Sequence, residues 1–402
     1  MSTCRPVTVD EGAWSSHRAN GSAAILAIGT SNPVNCVRQN EYADWYFRVT
    51  RSDHLGKWKD KMKRICEKSG IAKRYLHHTE EMIQDHPELL DRTLPSLRTR
   101  LGITMDAVPV LAAAAATKAI AEWGRPVSDI THLIVNSNSV AASPGADLRL
   151  ATLLGLHPSV QRTMLSFHGC SGGCLALRLA KDLAENNIGA RVLVVCVEVL
   201  VLCFRAPDET RLEDLVAMTI FGDGAGAAIV GAGPVIRGVE RPIFHMVSTS
   251  QATLPGTENV VELNLSESGA DTEMSSVLPK LVQENIKQCL VNTLTPVGLA
   301  SDDLNGLFWA AHPGGRAILD SYETALGLEP GKLAASRRVL SEFGNMFGAT
   351  VFFVLDEMRR RRHRSCDEEE REKCEWGVMV GLGPGISVEV MVLHAAGTGV
   401  ED

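Results

Sequence analysis

A cysteine stands in a run of small residues directly before a helical pattern. Cys170 lies in the run 169–173 (GCSGG), and an amphipathic stretch, 175–185, follows at once. This arrangement predicts a tight bend that opens a helix, with the thiol near the helix N-terminus. The exposed N–H groups and partial positive charge there favour a thiolate, which is the nucleophilic form of cysteine. The alternative is a small buried cysteine that only fills space at a close-packed turn.

Two further polar residues interrupt apolar patterns. His312 ends the apolar run 307–311 and precedes a proline and two glycines, which let a ligand approach the backbone at a strand end. Asn345 is flanked by glycines inside a helical pattern, where a cap or turn residue is the alternative. A cysteine, a histidine and an asparagine together supply a nucleophile and hydrogen-bond donors for an enolate or a tetrahedral oxyanion. Papain-like proteases use the same residue types, but their cysteine signature is absent here.

Strand and helix patterns alternate along the chain and must position these three side chains. Near-continuous apolar strands between helices predict an α/β fold with a parallel sheet covered on both faces. The predicted strands are 24–28, 132–136, 191–197, 224–231, 307–311, 377–381 and 387–393. The predicted helices are 107–123, 175–185, 276–294 and a long pattern over 331–360 around Asn345.

Length and composition limit the classes of function. The chain has 402 residues, 45% of them apolar, and a net charge of −8, so it is not built as a whole to bind nucleic acid or an anionic membrane. Ten cysteines without framework spacing indicate reduced thiols. The first twenty residues contain no apolar signal segment, and the longest apolar run, 192–204, is too short to span a bilayer. We therefore expect a cytoplasmic protein without membrane insertion.

A basic helical face is the candidate landing site for an anionic substrate. Lys57, Lys61, Arg64 and Lys68 are spaced three or four residues apart, although a helix that is simply exposed to solvent would show the same spacing.

The glycine-rich run 221–227 precedes a strand and so is not a dinucleotide fingerprint. No group of residues has metal-ligand spacing, so no metal is expected. The mixed-charge segment 359–373 predicts a solvated loop.

Eight short motifs stand in order between about residues 23 and 395, and together they resemble the type III polyketide synthases, the chalcone and stilbene synthase family. The motifs are 61–64 (KMKR), 74–81 (RYLHHTEE), 169–170 (GC), 177–186 (LRLAKDLAEN), 221–224 (FGDG), 309–315 (WAAHPGG), 344–346 (GNM) and 383–385 (GPG). The resemblance implies a thiolase-like α/β fold of two similar halves with a layered α-β-α-β-α core. The first half, 1–240, would carry the cysteine, and the second, 241–402, the histidine and asparagine.

The resemblance also implies a reaction and a role for each site residue. Such enzymes load an acyl group from a coenzyme A (CoA) starter, extend it by decarboxylative condensation with malonyl-CoA and cyclise the polyketide, as homodimers and without a further cofactor. Cys170 corresponds to the nucleophile, and His312 and Asn345 to the pair that decarboxylates malonyl-CoA and stabilises the oxyanions. Phe221 corresponds to the gatekeeper of the cavity. The CoA-binding positions are Lys61, Arg64, Lys68 and Gly314.

Several cavity positions depart from chalcone synthase and predict a reshaped tunnel. Leu263 and Phe347 stand where that enzyme has glycine and serine, so they should fill part of its cavity. Cys203, Thr272 and Leu382 should relieve crowding elsewhere, since they replace a threonine and two phenylalanines. The last substituted cavity position is Asn138, where chalcone synthase has threonine.

Two branches of the family resemble the chain more closely than chalcone synthase does. The motifs around the three candidate catalytic residues resemble grass alkylresorcinol synthases, which favours resorcinols or pyrones from fatty acyl-CoA. Asn138 resembles curcuminoid synthase instead, which leaves a curcuminoid-, chalcone- or stilbene-type enzyme with an aromatic starter such as p-coumaroyl-CoA. A fatty-acid-type ketoacyl synthase and a non-catalytic partner of an active synthase are the remaining alternatives. Phe347 fits neither branch.

Overall fold

The computed structural model describes residues 19, 21–233, 239–299, 304–364 and 374–396. The strands are β1 (Ala24–Ser31), β2 (Cys36–Arg38), β3 (Lys73–Tyr75), β4 (His132–Ser137), β5 (Gln161–Ser166), β6 (Arg191–Glu198), β7 (Gly224–Gly231), β8 (Phe244–Thr253), β9 (Val261–Ser266), β10 (Gly269–Met274), β11 (Phe308–Ala311), β12 (Trp376–Gly383) and β13 (Ser387–Ala395). The helices are α1 (Gln39–Val49), α2 (Gly56–Lys68), α3 (Glu80–Asp85), α4 (Leu97–Trp123), α5 (Ala146–Leu154), α6 (Gly172–Asn186), α7 (Leu212–Ile220), α8 (Leu278–Leu294), α9 (Arg316–Leu326), α10 (Ala334–Phe343) and α11 (Thr350–Arg364).

Nine strands form one sheet, in the order β11-β12-β13-β8-β1-β7-β6-β4-β5. The two halves of this sheet meet at β1 and β8, which pair over only two residue pairs. The prediction of a parallel sheet is wrong: β4 is parallel to β5 and β6, and β11 to β12, but the other neighbouring pairs are antiparallel. Strand β7 is antiparallel to both of its neighbours and yet buried along its whole length, so an apolar composition does not reveal strand direction.

Three hydrophobic cores hold five layers of helices and strands together. Between the two halves of the sheet, α6 and α11 pack against the inner faces of both. Helices α4 and α5 cover the outer face of the first half, and α8 and α9 cover the outer face of the second. The predicted α-β-α-β-α order is confirmed. The proposed division near residue 240 stays a prediction.

Helix α4 shows how small residues allow a helix layer to pack closely against the sheet. It begins at Leu97 rather than at residue 107, and its alanine face packs on β1. A Cβ atom at Gly29 of β1 would lie 2.2 Å from the Ala115 carbonyl oxygen, so only glycine fits there. By length and composition α4 could cross a membrane, but 50% of its most apolar window is buried inside the structure. It is packed as a core helix.

One predicted helix is wrong in a way that concerns the site. The pattern over 331–360 is not continuous, because α10 ends at Phe343 and α11 begins at Thr350. Gly344, with φ 71°, turns the chain between them, and Asn345 therefore lies in the break. The predicted loop 359–373 is also corrected in part, since α11 continues to Arg364; residues 365–373 lie outside the described part of the chain.

Candidate active site

Cys170 lies in the tight bend that its neighbours predict. A short 3-10 turn, Gly169–Ser171, leads directly into α6. Gly169 has φ 55°, and a Cβ atom on it would lie 2.4 Å from the ring of Pro384. Both the turn and the contact therefore require glycine at this position. The sequence prediction of a bend followed by a helix is confirmed.

Asn345 is held on the other side of the thiol by the backbone around it. Its N–H donates to the carbonyl of Ile220 and its carbonyl accepts from the N–H of Gly222, both at 2.9 Å. These two bonds place Asn345 directly beside Phe221. The break between α10 and α11 thus joins the end of α7 to the candidate catalytic centre.

The hydrogen bonds of Asn345 orient its carboxamide. The N–H of Phe347 donates to Oδ1 at 2.8 Å, and Nδ2 donates to the carbonyl of Gly314 at 3.1 Å. Nδ2 also lies 3.6 Å from Sγ of Cys170. Oδ1 lies 3.7 Å from the same sulfur, so the edge of the carboxamide faces the thiol, and its N–H₂ group can donate to an oxyanion on a thioester carbonyl.

His312 follows β11 immediately, as the sequence predicts, and lines the same cavity as Cys170. It is 2% exposed, and neither ring nitrogen has a hydrogen-bond partner among the described residues. Burial lowers the pKa of His312 to about 3, so the imidazole is neutral at physiological pH. A neutral buried ring without partners can accept a proton from the thiol or bind an oxygen of a substrate.

Burial also controls the protonation of the Cys170 thiol. It raises the pKa of Cys170 to about 12, and the hydrogen bond from Asn345 opposes this only in part. The predicted stabilisation of a thiolate by the helix N-terminus is therefore outweighed, because desolvation disfavours the charged form. A nucleophilic thiolate then requires transfer of the proton to a neighbouring base, and His312, which lines this cavity, can accept it.

The candidate catalytic residues open into one mostly apolar cavity of about 640 Å³, including its mouth. Phe221 lies against it, with its ring stacked on that of Phe347 at 4.2 Å between centroids. The predicted positions found here are Cys170, Phe221, Leu263, Thr272, His312, Gly314, Asn345, Phe347 and Leu382. The sequence analysis missed several apolar lining residues, because β9, β10 and the starts of α8 and α9 carry no motif that indicates a cavity. These residues are Val261, Met274, Leu278 and Ile318.

A second pocket, of about 250 Å³, contains the remaining predicted cavity residues. Asn138 and Cys203 line it, and Leu263 and Phe347 line both pockets. Glu198, which sequence reasoning did not propose, is also there. The only sequence signal for it is a single carboxylate at the end of an otherwise apolar strand.

Asn138 connects this second pocket to the nucleophile. Its Nδ2 donates to Glu198 at 2.7 Å, and its Oδ1 accepts from the N–H of Gly169 at 2.8 Å. Ser139 donates a further hydrogen bond to Glu198. Burial nevertheless raises the pKa of Glu198 to about 8. A buried polar network therefore supports the turn that carries Cys170.

Three of the predicted CoA-binding residues, Lys61, Arg64 and Lys68, lie on α2 and line neither pocket, whereas Gly314 lines the catalytic cavity. Arg64 and Lys68 are exposed, and Lys61 is half-buried against the Trp58 ring, 4.9 Å from its centroid. None of these three has an acidic side chain within 4 Å among the described residues, whereas Lys59 and Lys63 are paired with Asp44. The inner side of α2 shares a hydrophobic core with α7, whose end leads to Phe221.

No group of three or more histidine, cysteine, aspartate or glutamate side chains suited to a metal ion occurs in the described part of the chain.

Residues 11–234 match the family model of the N-terminal domain of chalcone and stilbene synthases, and residues 245–397 match that of the C-terminal domain. The chain belongs to the chalcone and stilbene synthase family. It is a type III polyketide synthase and hence an acyltransferase, in a family whose enzymes use acyl-CoA and malonyl-CoA. A bisdemethoxycurcumin synthase of Oryza sativa subsp. japonica is 55% identical over 382 residues, 94% of each chain.

Proposed function

We propose that this synthase loads its starter on Cys170. The convergence of Cys170, His312 and Asn345 in one cavity carries this proposal. His312 accepts the thiol proton, and Sγ attacks the carbonyl carbon of the starter thioester. The C–S bond to CoA breaks, and the CoA thiolate takes the proton back from His312 as it leaves. Asn345 Nδ2, 3.6 Å from Sγ, donates to the oxyanion of this step.

Extension uses the same two hydrogen-bonding groups. Malonyl-CoA loses CO₂, and the electron pair of the broken C–C bond remains on the thioester as an enolate. His312 and Asn345 donate to this enolate oxygen, and neutral His312 does so through its single ring N–H, because the proton from the thiol has left with CoA. The enolate carbon attacks the acyl group on Cys170, and the sulfur leaves as a thiolate. The mostly apolar cavity strengthens these hydrogen bonds, and the reaction draws on the two thioesters alone.

For the starter, we propose an aromatic acyl-CoA and a curcuminoid-type product. The likeness to a bisdemethoxycurcumin synthase supports this class. The side chains of Leu263 and Phe347 also support it, because they stand between the two pockets and shorten the space beside the thiol. The second candidate is an alkylresorcinol- or alkylpyrone-type product from a fatty acyl-CoA. The apolar side chains of Val261, Met274 and Ile318 at the cavity wall favour it.

Product mass from the purified full-length protein tests the starter class. Malonyl-CoA is supplied with p-coumaroyl-, benzoyl- and short- to long-chain fatty acyl-CoA. Aromatic products support the first proposal, and resorcinols or pyrones from fatty acyl starters alone would replace it by the second. The Cys170→Ala variant should still decarboxylate malonyl-CoA but form no acyl-enzyme. Absence of decarboxylation in the unaltered protein would favour the non-catalytic partner.

We also propose a cytoplasmic homodimer. Strand β5 is an edge of the nine-stranded sheet, and its unpaired side offers backbone hydrogen bonds to a second copy. The neighbouring helix α5 exposes Leu148 and Leu153 by 40% and 52%, which would be buried in such an interface. Light scattering should give twice the chain mass, and Leu153→Glu should lower it towards that of one chain. A monomeric unaltered protein would contradict the proposal.

A further inference from the structure

Strands β9 and β10 form a hairpin that is one wall of the catalytic cavity. They pair with each other and with no other strand in the described part of the chain. Four of their side chains line the cavity: Val261, Leu263, Thr272 and Met274. Because an isolated two-stranded hairpin is at best marginally stable in water, contacts from other elements must hold this wall in place.

The turn of the hairpin is held by backbone contacts. The N–H groups of Ser96 and Leu97 both donate to the carbonyl of Glu267 at 2.9 Å. A Cβ atom on Gly269 would lie 2.5 Å from the carbonyl oxygen of Leu202, so the turn packs closely against that segment. These contacts end at the turn, and the part of β10 that lines the cavity depends on other groups.

The outer side of β10 carries a carboxylate that meets two arginines distant in the sequence. Successive side chains of a strand point to opposite faces, so Asp271 points away from the cavity that Thr272 lines. Its Oδ1 accepts from Nη1 of Arg205 at 2.6 Å and also from Nη1 of Arg92. Nη2 of Arg205 donates to the carbonyl of Ala270 at 2.6 Å. Two guanidinium groups therefore hold this strand from outside the cavity.

The two arginines are themselves fixed by buried groups. Arg205 is buried, and its carbonyl accepts from the Tyr46 hydroxyl at 2.8 Å. Arg92 also donates to Asp214, a buried residue of α7. Hydrogen bonds between charged partners are strong, and partial burial protects them from screening by salt. The Asp271 cluster, which consists of Arg92, Arg205, Asp214 and Asp271, therefore joins the hairpin to α7 and to the segment before α4.

We propose that Asp271 is a positioning residue for starter binding: through Arg92 and Arg205 it holds the β9–β10 hairpin as a fixed wall against the acyl group that Cys170 receives. Without these contacts the wall is mobile, and the starter must order it on binding. Ordering of a mobile segment lowers affinity. This inference rests on the proposed function, because it concerns the acyl-CoA from which Cys170 is loaded.

The proposal separates starter binding from the chemistry on malonyl-CoA. Leu263 and Thr272 lie opposite each other in the hairpin, so a movement of β10 displaces both wall side chains. His312 and Asn345 lie outside the hairpin, next to β11 and between α10 and α11. Loss of the Asp271 cluster should therefore weaken binding of the starter and leave decarboxylation intact.

Hydrogen–deuterium exchange of the full-length enzyme without substrate tests the cluster. Asp271→Asn removes the charge and keeps the shape, so peptides that cover β9 and β10 should exchange about tenfold faster or more. Asp356→Asn is the matched control: Asp356 of α11 is also paired with two arginines, Arg359 and Arg360, and lines neither pocket. It should leave the exchange of the hairpin unchanged. Equal exchange of the hairpin in Asp271→Asn and the unaltered protein would overturn the proposal.

Steady-state kinetics then tests the consequence for the starter. Asp271→Asn should raise the KM for p-coumaroyl-CoA about fivefold, as expected for the loss of a hydrogen bond between charged groups. Its kcat and its rate of malonyl-CoA decarboxylation should stay within about twofold, and Asp356→Asn should change none of these values. An unchanged KM, or a kcat that falls as far as kcat/KM, would refute a role in starter binding.

Arg92→Gln is a milder second variant, because Arg205 still pairs with Asp271. It should raise the KM less than Asp271→Asn does, and the double variant should resemble Asp271→Asn, since the contact between the two residues is already lost there. Effects that multiply in the double variant would contradict this coupling. If the unaltered protein forms no acyl-enzyme with any starter, the proposed function fails, whereas the exchange rates still decide whether the cluster holds the hairpin.

Discussion

Gly173→Ala is the substitution that tests most directly how the fold holds the site. Gly173 lies in the first turn of α6, and a Cβ atom there would be 2.1 Å from the carbonyl oxygen of Gly348. Ordinary contact begins at about 3.4 Å, so the two segments must separate by about 1.3 Å. The segment of Gly173 follows Cys170, and the segment of Gly348 follows Asn345. Their separation should therefore lengthen the 3.6 Å contact between Sγ of Cys170 and Nδ2 of Asn345.

The effect on activity should exceed the effect on stability. Overpacking costs about 1–3 kcal/mol, and alanine regains about 1 kcal/mol of helix propensity, so the Tm should fall by only a few degrees. Misplacement of reacting groups by about 1 Å costs about 100-fold in rate. Malonyl-CoA decarboxylation and acyl-enzyme formation measure the rate, and calorimetry measures the Tm.

Gly102→Ala is the matched control for this substitution. Gly102 is an exposed glycine inside α4 with nothing within 4 Å of an added Cβ atom. The Gly102→Ala variant should gain about 0.5–1 kcal/mol in its free energy of unfolding, and its activity should not change. If Gly173→Ala keeps activity within about twofold of the parent, the close approach of the two segments does not set the catalytic geometry.

Three further predictions concern charge. His312→Gln should slow iodoacetamide alkylation of Cys170 at pH 7 by about tenfold, since glutamine cannot take the thiol proton; an unchanged pH profile would remove His312 as the base. Burial raises the pKa of Glu198 from 4.5 to about 8, so its contribution to stability is complete below pH 4.5 and is lost as pH rises to about 8. Between pH 6 and 9 the unaltered protein should therefore lose about 2–3 kcal/mol relative to Glu198→Gln, and parallel Tm curves would contradict this. Arg64→Ala should raise the KM for malonyl-CoA and weaken its salt dependence, whereas Lys287→Ala, an exposed control on α8, should not.

The sequence predicts the candidate site better than the sheet that supports it. Cys170 was found because it stands in a run of small residues before a helical pattern, and His312 because it ends an apolar run; both signals are visible without a structure. The break at Asn345 was missed, since the residues on both sides favour a helix and only the φ of Gly344 ends it. Strand direction and the lining strand β9 were missed for a different reason. Buried strands look alike in either direction, and the half-exposed β9 has no continuous apolar run.

Left-handed backbone conformations occur at four positions around the candidate catalytic residues. Phe167, Gly169, Gly344 and Phe347 all have φ between 48° and 71°, and each lies within three residues of Cys170 or Asn345. Two of them are phenylalanines, for which this conformation is costly and persists only where the surroundings determine it. The surroundings do so here through close contacts at Gly169 and hydrogen bonds at Phe347. The strained turns on both sides bring the two groups to one point in a buried cavity.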